Sequence, residues 1–179
     1  MCIAQACCVA GYAQNPDLPA PTEYQLKAAF LYNFAKFVEW PAQAFANDSA
    51  AITIGILGKD PFGADFDKLL EFETLKGRRF TVTRLRYGEN LRSCHILFIT
   101  SFEADLRLLK ILRELEGATV LTVGESESFA RAGGMIKFIA SEGKIGFEIN
   151  VEAARLAGLQ ISSKLLRLAK HVISRMTEK

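Results

Sequence analysis

The sequence predicts an α/β layered domain with a mostly parallel central sheet, an antiparallel hairpin at one edge and helices on both faces. Three observations carry this. Ile52–Leu57 (ITIGIL), Cys94–Thr100 (CHILFIT) and Ala118–Val123 (ATVLTV) are near-continuous apolar runs, the pattern of strands buried on both faces. Each run is followed by a break and a helix-start signal, so strands and helices alternate. Met135–Ala140 and Lys144–Ile149 flank Ser141-Glu142-Gly143, which reads as a hairpin turn with Gly143 supplying the positive φ.

Residues 1–13 (MCIAQACCVAGYA) are uncharged, small and apolar, and Gly11-Tyr12-Ala13 resembles an A-x-A cleavage site. They read as a residual signal peptide, although the basic region of a full signal is missing; an unstructured N-terminus is the plainer alternative. Residues 14–21 (QNPDLPAP) read as a flexible leader, and residues 22–179 as one α/β domain. Three of the four cysteines fall in the first segment. Its removal leaves Cys94 alone, which excludes an internal disulfide in the mature chain.

The stretch Thr22–Pro41 (TEYQLKAAFLYNFAKFVEWP) is the most apolar helix pattern in the chain. Thr22 and Gln25 fit a capping box at its start, and Pro41 ends it. Leu26, Phe30, Phe34 and Phe37 form one stripe expected to face the sheet, widened by Leu31 and Val38. Tyr32, Lys36, Glu39 and Trp40 fall on the outward side. Such a helix is either a central core element or, in part, a docking face.

Gln43–Ala50 is a polar loop. After the first buried strand, Asp60 suits an N-cap and Pro61 the first position of a helix running to about Phe72. Arg78–Tyr87 (RRFTVTRLRY) is β-rich and reads as an outer strand with one wet face. Thr100 and Glu103 fit a second capping box, ahead of a helix over Ala104–Glu114 with Leu106, Leu109, Leu112 and Leu115 inward. Ser126 caps a short helix to about Arg131, and Gly133-Gly134 marks a turn. Asn150 caps a helix that stops at Gly158. Ser162 or Ser163 caps a last helix, Lys164–Met176, with Leu165, Leu168, Ala169 and Val172 on one face.

A net charge of +2 with no basic block does not suit a nucleic-acid binder. No apolar run reaches the ~18 residues a spanning helix needs. Three strand ends, at Gly58–Asp60, Thr100–Ser101 and Gly124–Ser126, share one sheet edge, where ligands bind in open α/β folds. Helix N-termini there favour anions, whereas Glu103, Glu125 and Glu127 on the same loops oppose a phosphate; ordinary helix capping is the alternative. GKDPFG is not a Walker loop. On the basic strand, Arg84 and Arg86 share the face of Phe80 and Val82, which suits either an anionic or aromatic ligand or a solvated edge.

Little supports catalysis. The chain has two histidines. Cys94 and His95 are adjacent on a strand and point to opposite faces, so they form no dyad. There is no G-x-S-x-G, and the mature chain has too few Cys and His for a zinc site. No enzyme activity, catalytic residue, metal or cofactor is expected.

EYQLKAAFLYNFAKFVEWP, ILGKDPFG, CHILFITS, LTVGE, GGMIKFI and KIGFEINVEAARLAGLQISSKLLRLA occur in that order. Together they resemble the YfiR family of bacterial periplasmic proteins, over roughly Glu23 to Lys170. The resemblance implies an exported α/β homodimer without enzymatic activity. It implies a partner, an inner-membrane diguanylate cyclase held inactive through its periplasmic region, with lower cyclic di-GMP and restrained biofilm formation. It also implies redox sensitivity through disulfides and binding of small ligands. Cys94 is the counterpart of one disulfide cysteine and the one redox candidate, but no second cysteine stands in the mature region. The alternative function is a small-molecule sensor for an anion or nucleotide, without a cyclase partner.

A docking inhibitor needs an exposed apolar patch ringed by polar groups. The candidates are Tyr32, Lys36 and Trp40 on the opening helix, and the basic strand. Ser163, Lys164 and Arg167 form a further polar cluster, expected to face Asn33 and Lys36 and make a small anion pocket if the two helices pack.

Overall fold

The computed structural model describes residues 21–141 and 143–174. The expected signal peptide at 1–13, all of the leader but Pro21, and Met176 lie outside the described residues. Helix α1 (Glu23–Phe37) opens the domain with the expected capping box: the Thr22 side chain accepts from the Gln25 N–H, and the Gln25 side chain accepts from the Thr22 N–H. The helix stops at Phe37, before Pro41. Val38–Glu39 (β1) turns extended and pairs antiparallel with Gln160–Ile161 (β9).

The remaining strands are β2 (Ile52–Leu57), β3 (Thr74–Leu75), β4 (Arg78–Leu85), β5 (Ile96–Ile99), β6 (Leu121–Gly124), β7 (Ile136–Ser141), β8 (Lys144–Asn150) and β10 (His171–Ile173). They form one eight-stranded sheet in the order β10-β8-β7-β6-β5-β2-β4-β3. Its centre is parallel, as the apolar runs predict, and β7–β8 is the expected antiparallel hairpin. Alternation along each strand divides the core. Ile54, Ile56, Ile96 and Phe98 point to one layer with Leu31 and Phe34 of α1. Leu57, Leu97 and Ile99 point to the other. The first layer is covered by α1, α2 (Ala64–Leu70), α4 (Val151–Leu156) and α5 (Ser163–Leu168). The second is covered by α3 (Ser101–Glu114), with Leu91 and Phe129 added from turns outside it.

Several local expectations are corrected. The buried face of α1 is Ala28, Leu31, Phe34, Ala35 and Val38; Leu26, Phe30 and Phe37 are half-buried at its margin. Small Ala28 and Ala35 let the helix approach the sheet, and Phe30 packs sideways on Phe138 and Phe147. Asp60 does not cap α2. Its carboxylate accepts from the N–H groups of Phe62 and Gly63, making a turn that delays the helix to Ala64. The inward face of α3 is Ala104, Leu108, Ile111 and Leu115, whereas Leu106 and Leu109 are exposed. Leucines lie all round this helix, so two registers fit its pattern. Thr100 sits at the N-cap without a side-chain capping bond, and Glu103 pairs with Arg107 instead of closing a box.

Residues 126–133 form successive turns rather than a helix, wrapped around the buried ring of Phe129. The last helix ends at Leu168. Ala169 is extended, and His171–Ile173 pairs parallel with Glu148–Asn150 of β8. A pattern that reads as helix locally is overridden by strand pairing of its β-branched Val172 and Ile173.

Candidate functional site

The expected anion cleft lies at the carboxyl ends of β2, β5 and β6. The chain's own Glu125 takes the donors there. Its carboxylate pairs with Lys27, accepts from the Ser101 hydroxyl at 2.8 Å and meets the Tyr24 hydroxyl at 3.4 Å. Lys27 is 2% exposed and also pairs with Glu23 at 2.5 Å. On the basic strand, the guanidinium of Arg84 is held by Asp60 at 2.9 Å and Asp67 at 2.5 Å, so it is committed within the fold. Arg86 lies beyond the strand end, and Phe80 meets the Tyr32 ring edge-on at 5.4 Å.

At the opposite end of the sheet, the C-terminal end of α1, the following loop and the β3–β4 hairpin enclose a cavity of about 570 Å³. Its lining includes Lys36, Glu39, Trp40, Phe45, Asp48, Ile52, Lys76 and Arg78. The loop is fixed from within. The Arg78 guanidinium donates to the carbonyls of Asn47 at 2.7 Å and Ala50 at 2.9 Å, and lies 3.9 Å from the ring centre of Phe45. The other face of Phe45 stacks on His95 at 4.5 Å and 21°. Trp40 meets His95 edge-on at 6.4 Å. The indole Nε1–H of Trp40 is buried with no hydrogen-bond partner among the described residues, a state that costs about 1–3 kcal/mol.

His95 cannot serve as a base here. Its Nδ1 accepts the Thr53 N–H at 3.0 Å, so the proton is on Nε2, which donates to the Ala44 carbonyl at 3.1 Å. Burial holds its pKa below the ordinary histidine value, and the charge of Arg78 adds to this, against the opposing bond to Ala44. The sign follows from linkage: the unfolded chain takes up the proton first as pH falls, so stability is full above about pH 6.5 and declines below it. Wild type is expected to lose thermal stability between about pH 7.5 and about pH 5, and His95→Asn, which keeps an acceptor but does not titrate, to lose less. An unchanged pH slope in that variant rules His95 out as the titrating group.

Of the residues singled out from sequence, the structure brings Lys36 and Trp40 together in the cavity. Tyr32 adjoins them: its ring lies 4.5 Å from the Lys36 ammonium, and its hydroxyl donates to Glu73. That hydrogen bond, with burial, raises the Tyr32 pKa. Asn33 is half-buried on α1. Ser163, Lys164 and Arg167 are exposed on α5 and stand outside the cavity lining. The α5 segment does abut α1, since the Ser162 N–H donates to the Phe37 carbonyl at 2.9 Å and the Ser162 side chain caps α5. Phe45, Lys76 and His95 are not among the binding residues the sequence singles out, whereas Arg78 opens the basic strand, which it does single out. A lone aromatic in the polar loop AQAFANDSA was the available signal for Phe45.

Cys94 is 3% exposed in the second core layer, above the space left by Gly55. Burial raises its pKa, against a lowering bond from Ser93, so the thiolate that would react is disfavoured. Native protein is expected to leave Cys94 unlabelled by a thiol reagent and label it after unfolding, with peptide mapping to separate it from Cys2, Cys7 and Cys8. Fast native labelling would restore it as a sensor candidate. Among the described residues, no three His, Cys, Asp or Glu side chains converge as metal ligands.

Residues 24–170 match the family model described as YfiR/HmsC-like. The chain belongs to the YfiR/HmsC-like family. A solved structure of a conserved domain protein from Vibrio cholerae O1 biovar El Tor str. N16961 shares the fold, with a TM-score of 0.54 at 12% identity. The alignment covers 84% of this chain and 60% of that one. No functionally curated protein matches the sequence significantly. Among the described residues, no helix is long and apolar enough to cross a membrane.

Proposed function

We propose that this YfiR/HmsC-like protein is a non-catalytic periplasmic regulator. It binds the periplasmic region of a membrane diguanylate cyclase as a homodimer and holds cyclic di-GMP synthesis down, restraining biofilm formation. The observation that carries this reading is the family match over 24–170. The chemistry of the cavity supports it: His95 is locked as a neutral structural ring, and Cys94 is buried away from it. The test is co-purification of the mature chain with the periplasmic domain of a cyclase encoded beside it, together with cyclic di-GMP measured in cells with and without the chain. No complex and unchanged cyclic di-GMP would sink the reading.

A second reading, a sensor of a small anionic ligand, is favoured by the cavity. Lys36 and Lys76 line it without a carboxylate partner among the described residues. An anion with a flat apolar body fits these walls. Thermal shift with a panel of nucleotides, aromatic amino acids and aromatic phosphates tests it. A shift that Lys36→Gln/Lys76→Gln abolishes supports the reading, and a flat response across the panel removes it.

A further inference from the structure

The outer face of α3 carries an apolar ridge that the fold does not use. Phe102, Leu106 and Leu109 recur at helical spacing and are 68%, 57% and 57% exposed. Beside them Lys110 and Arg113 are exposed and have no ion pair or side-chain hydrogen bond among the described residues. Arg107 differs. It leaves helical geometry (φ −154°, ψ 22°), pairs with Glu103 at 3.4 Å and lies 4.6 Å from the Tyr87 ring centre, so this cation is held locally. Asp105 is the one carboxylate exposed on the helix, and the exposed face remains net positive.

We propose that this face of α3 docks on an anionic lipid surface. Three large apolar side chains beside two free cations on long apolar stems form the pattern of an interfacial helix: the rings and branches enter the acyl boundary while Lys110 and Arg113 reach the phosphates. A second copy fits less well, because a symmetric contact would bring the same cations together with only Asp105 to meet them. The placement also fits the architecture, since α3 is the one α-helix on its side of the sheet among the described residues, and Phe102, Leu106 and Leu109 stay exposed there. The proposal is independent of the cyclase reading: a chain that bound no cyclase would still attach to vesicles.

The experiment is vesicle flotation of the full chain with phosphatidylcholine alone and with phosphatidylcholine plus phosphatidylglycerol. All variants share the same N-terminal residues, so differences between them report on α3. Wild type is expected to float with the anionic vesicles and far less with the neutral ones. Lys110→Gln/Arg113→Gln, which changes only exposed cations, should weaken anionic binding by roughly thirtyfold. Phe102→Ser/Leu106→Ser/Leu109→Ser should abolish it, with the thermal midpoint of each variant confirming a folded chain. Wild type that stays with the unbound fraction, or variants that float like wild type, overturns the proposal. Sedimentation that shows a dimer lost in the serine variant, without lipid binding by wild type, assigns the face to a second copy and overturns it equally.

Discussion

Lys27→Met is expected to destabilise the domain by about 3–5 kcal/mol, because it leaves a buried carboxylate without its counter-charge. Lys27 is 2% exposed; its ammonium pairs with Glu125 and with Glu23 and lies 4.6 Å from the Tyr24 ring centre. Its removal strands the Glu125 carboxylate, 12% exposed, on the Ser101 and Tyr24 hydroxyls. Removing both charges is milder: Lys27→Met/Glu125→Leu should recover most of the loss, since apolar replacement of a whole buried pair is often near neutral. Urea unfolding of the two single variants and the double gives the coupling directly. A single-variant loss under about 1 kcal/mol would mean that the pair behaves as a surface contact. Burial pulls the Lys27 pKa down, but the hydrogen bonds to Glu125 and Glu23 more than offset it, so the net shift is upward. The lysine's contribution is therefore fully present below the ordinary lysine value and lost only as pH rises through the higher folded one. The pair also fixes α1 in place. Lys27 anchors the start of the helix at one end of the sheet, and Lys36 and Trp40 line the cavity at the other.

The parts of this fold legible in the sequence are those set by local chemistry or by continuous burial. ITIGIL and the ILFI of CHILFIT are buried strands, as short apolar runs between breaks predict, and the Thr22–Gln25 box starts α1 where the residues place it. What was illegible depended on partners distant in sequence. Leu165, Leu168, Ala169 and Val172 have helical spacing, yet Glu148–Asn150 of β8 draws His171–Ile173 into the sheet. On α3, both the Leu106–Leu109 face and the Leu108–Ile111 face satisfy a helical period, and only the fit of Ala104 against the sheet selects between them. The cavity shows the same division. Lys36 stands in the last turn of α1 and Trp40 just past β1, close enough in sequence to be legible together. Phe45, Arg78 and His95 come from a loop and two strand regions and meet through stacking that no spacing encodes. By sequence Glu125 opposes a bound phosphate, and in the structure its carboxylate takes the Lys27 and Ser101 donors that an anion would use.

Gly134→Ala is expected to cost about 3 kcal/mol, near the upper end for overpacking a core. The ring of Phe129 is fully buried with Gly124 against one edge and Gly134 against the other, and a Cβ on either glycine would fall far inside van der Waals contact with it. Neither glycine has a positive φ, so the requirement is for space and not for backbone freedom. The ring cannot step aside, because the surrounding chain is tied down. The Gly134 N–H donates to the Phe129 carbonyl at 2.9 Å, the Met135 N–H to the Thr122 hydroxyl at 3.1 Å, and the Asn150 amide to the Ala130 carbonyl at 3.1 Å. For a domain of this size the thermal midpoint should fall by about 6–12 °C. Phe129→Ala alone should cost about 3–5 kcal/mol. The double variant Gly134→Ala/Phe129→Ala should cost clearly less than the sum, since the new methyl enters the space the ring vacates. Strict additivity would refute the steric account. The clamp matters beyond its own packing because Glu125 follows Gly124 directly. Holding Phe129 between the two glycines fixes the exit of β6, and that exit aims the Glu125 carboxylate at Lys27. Gly134→Ala should therefore weaken the Lys27–Glu125 coupling measured in the cycle above, although residue 134 touches neither charge.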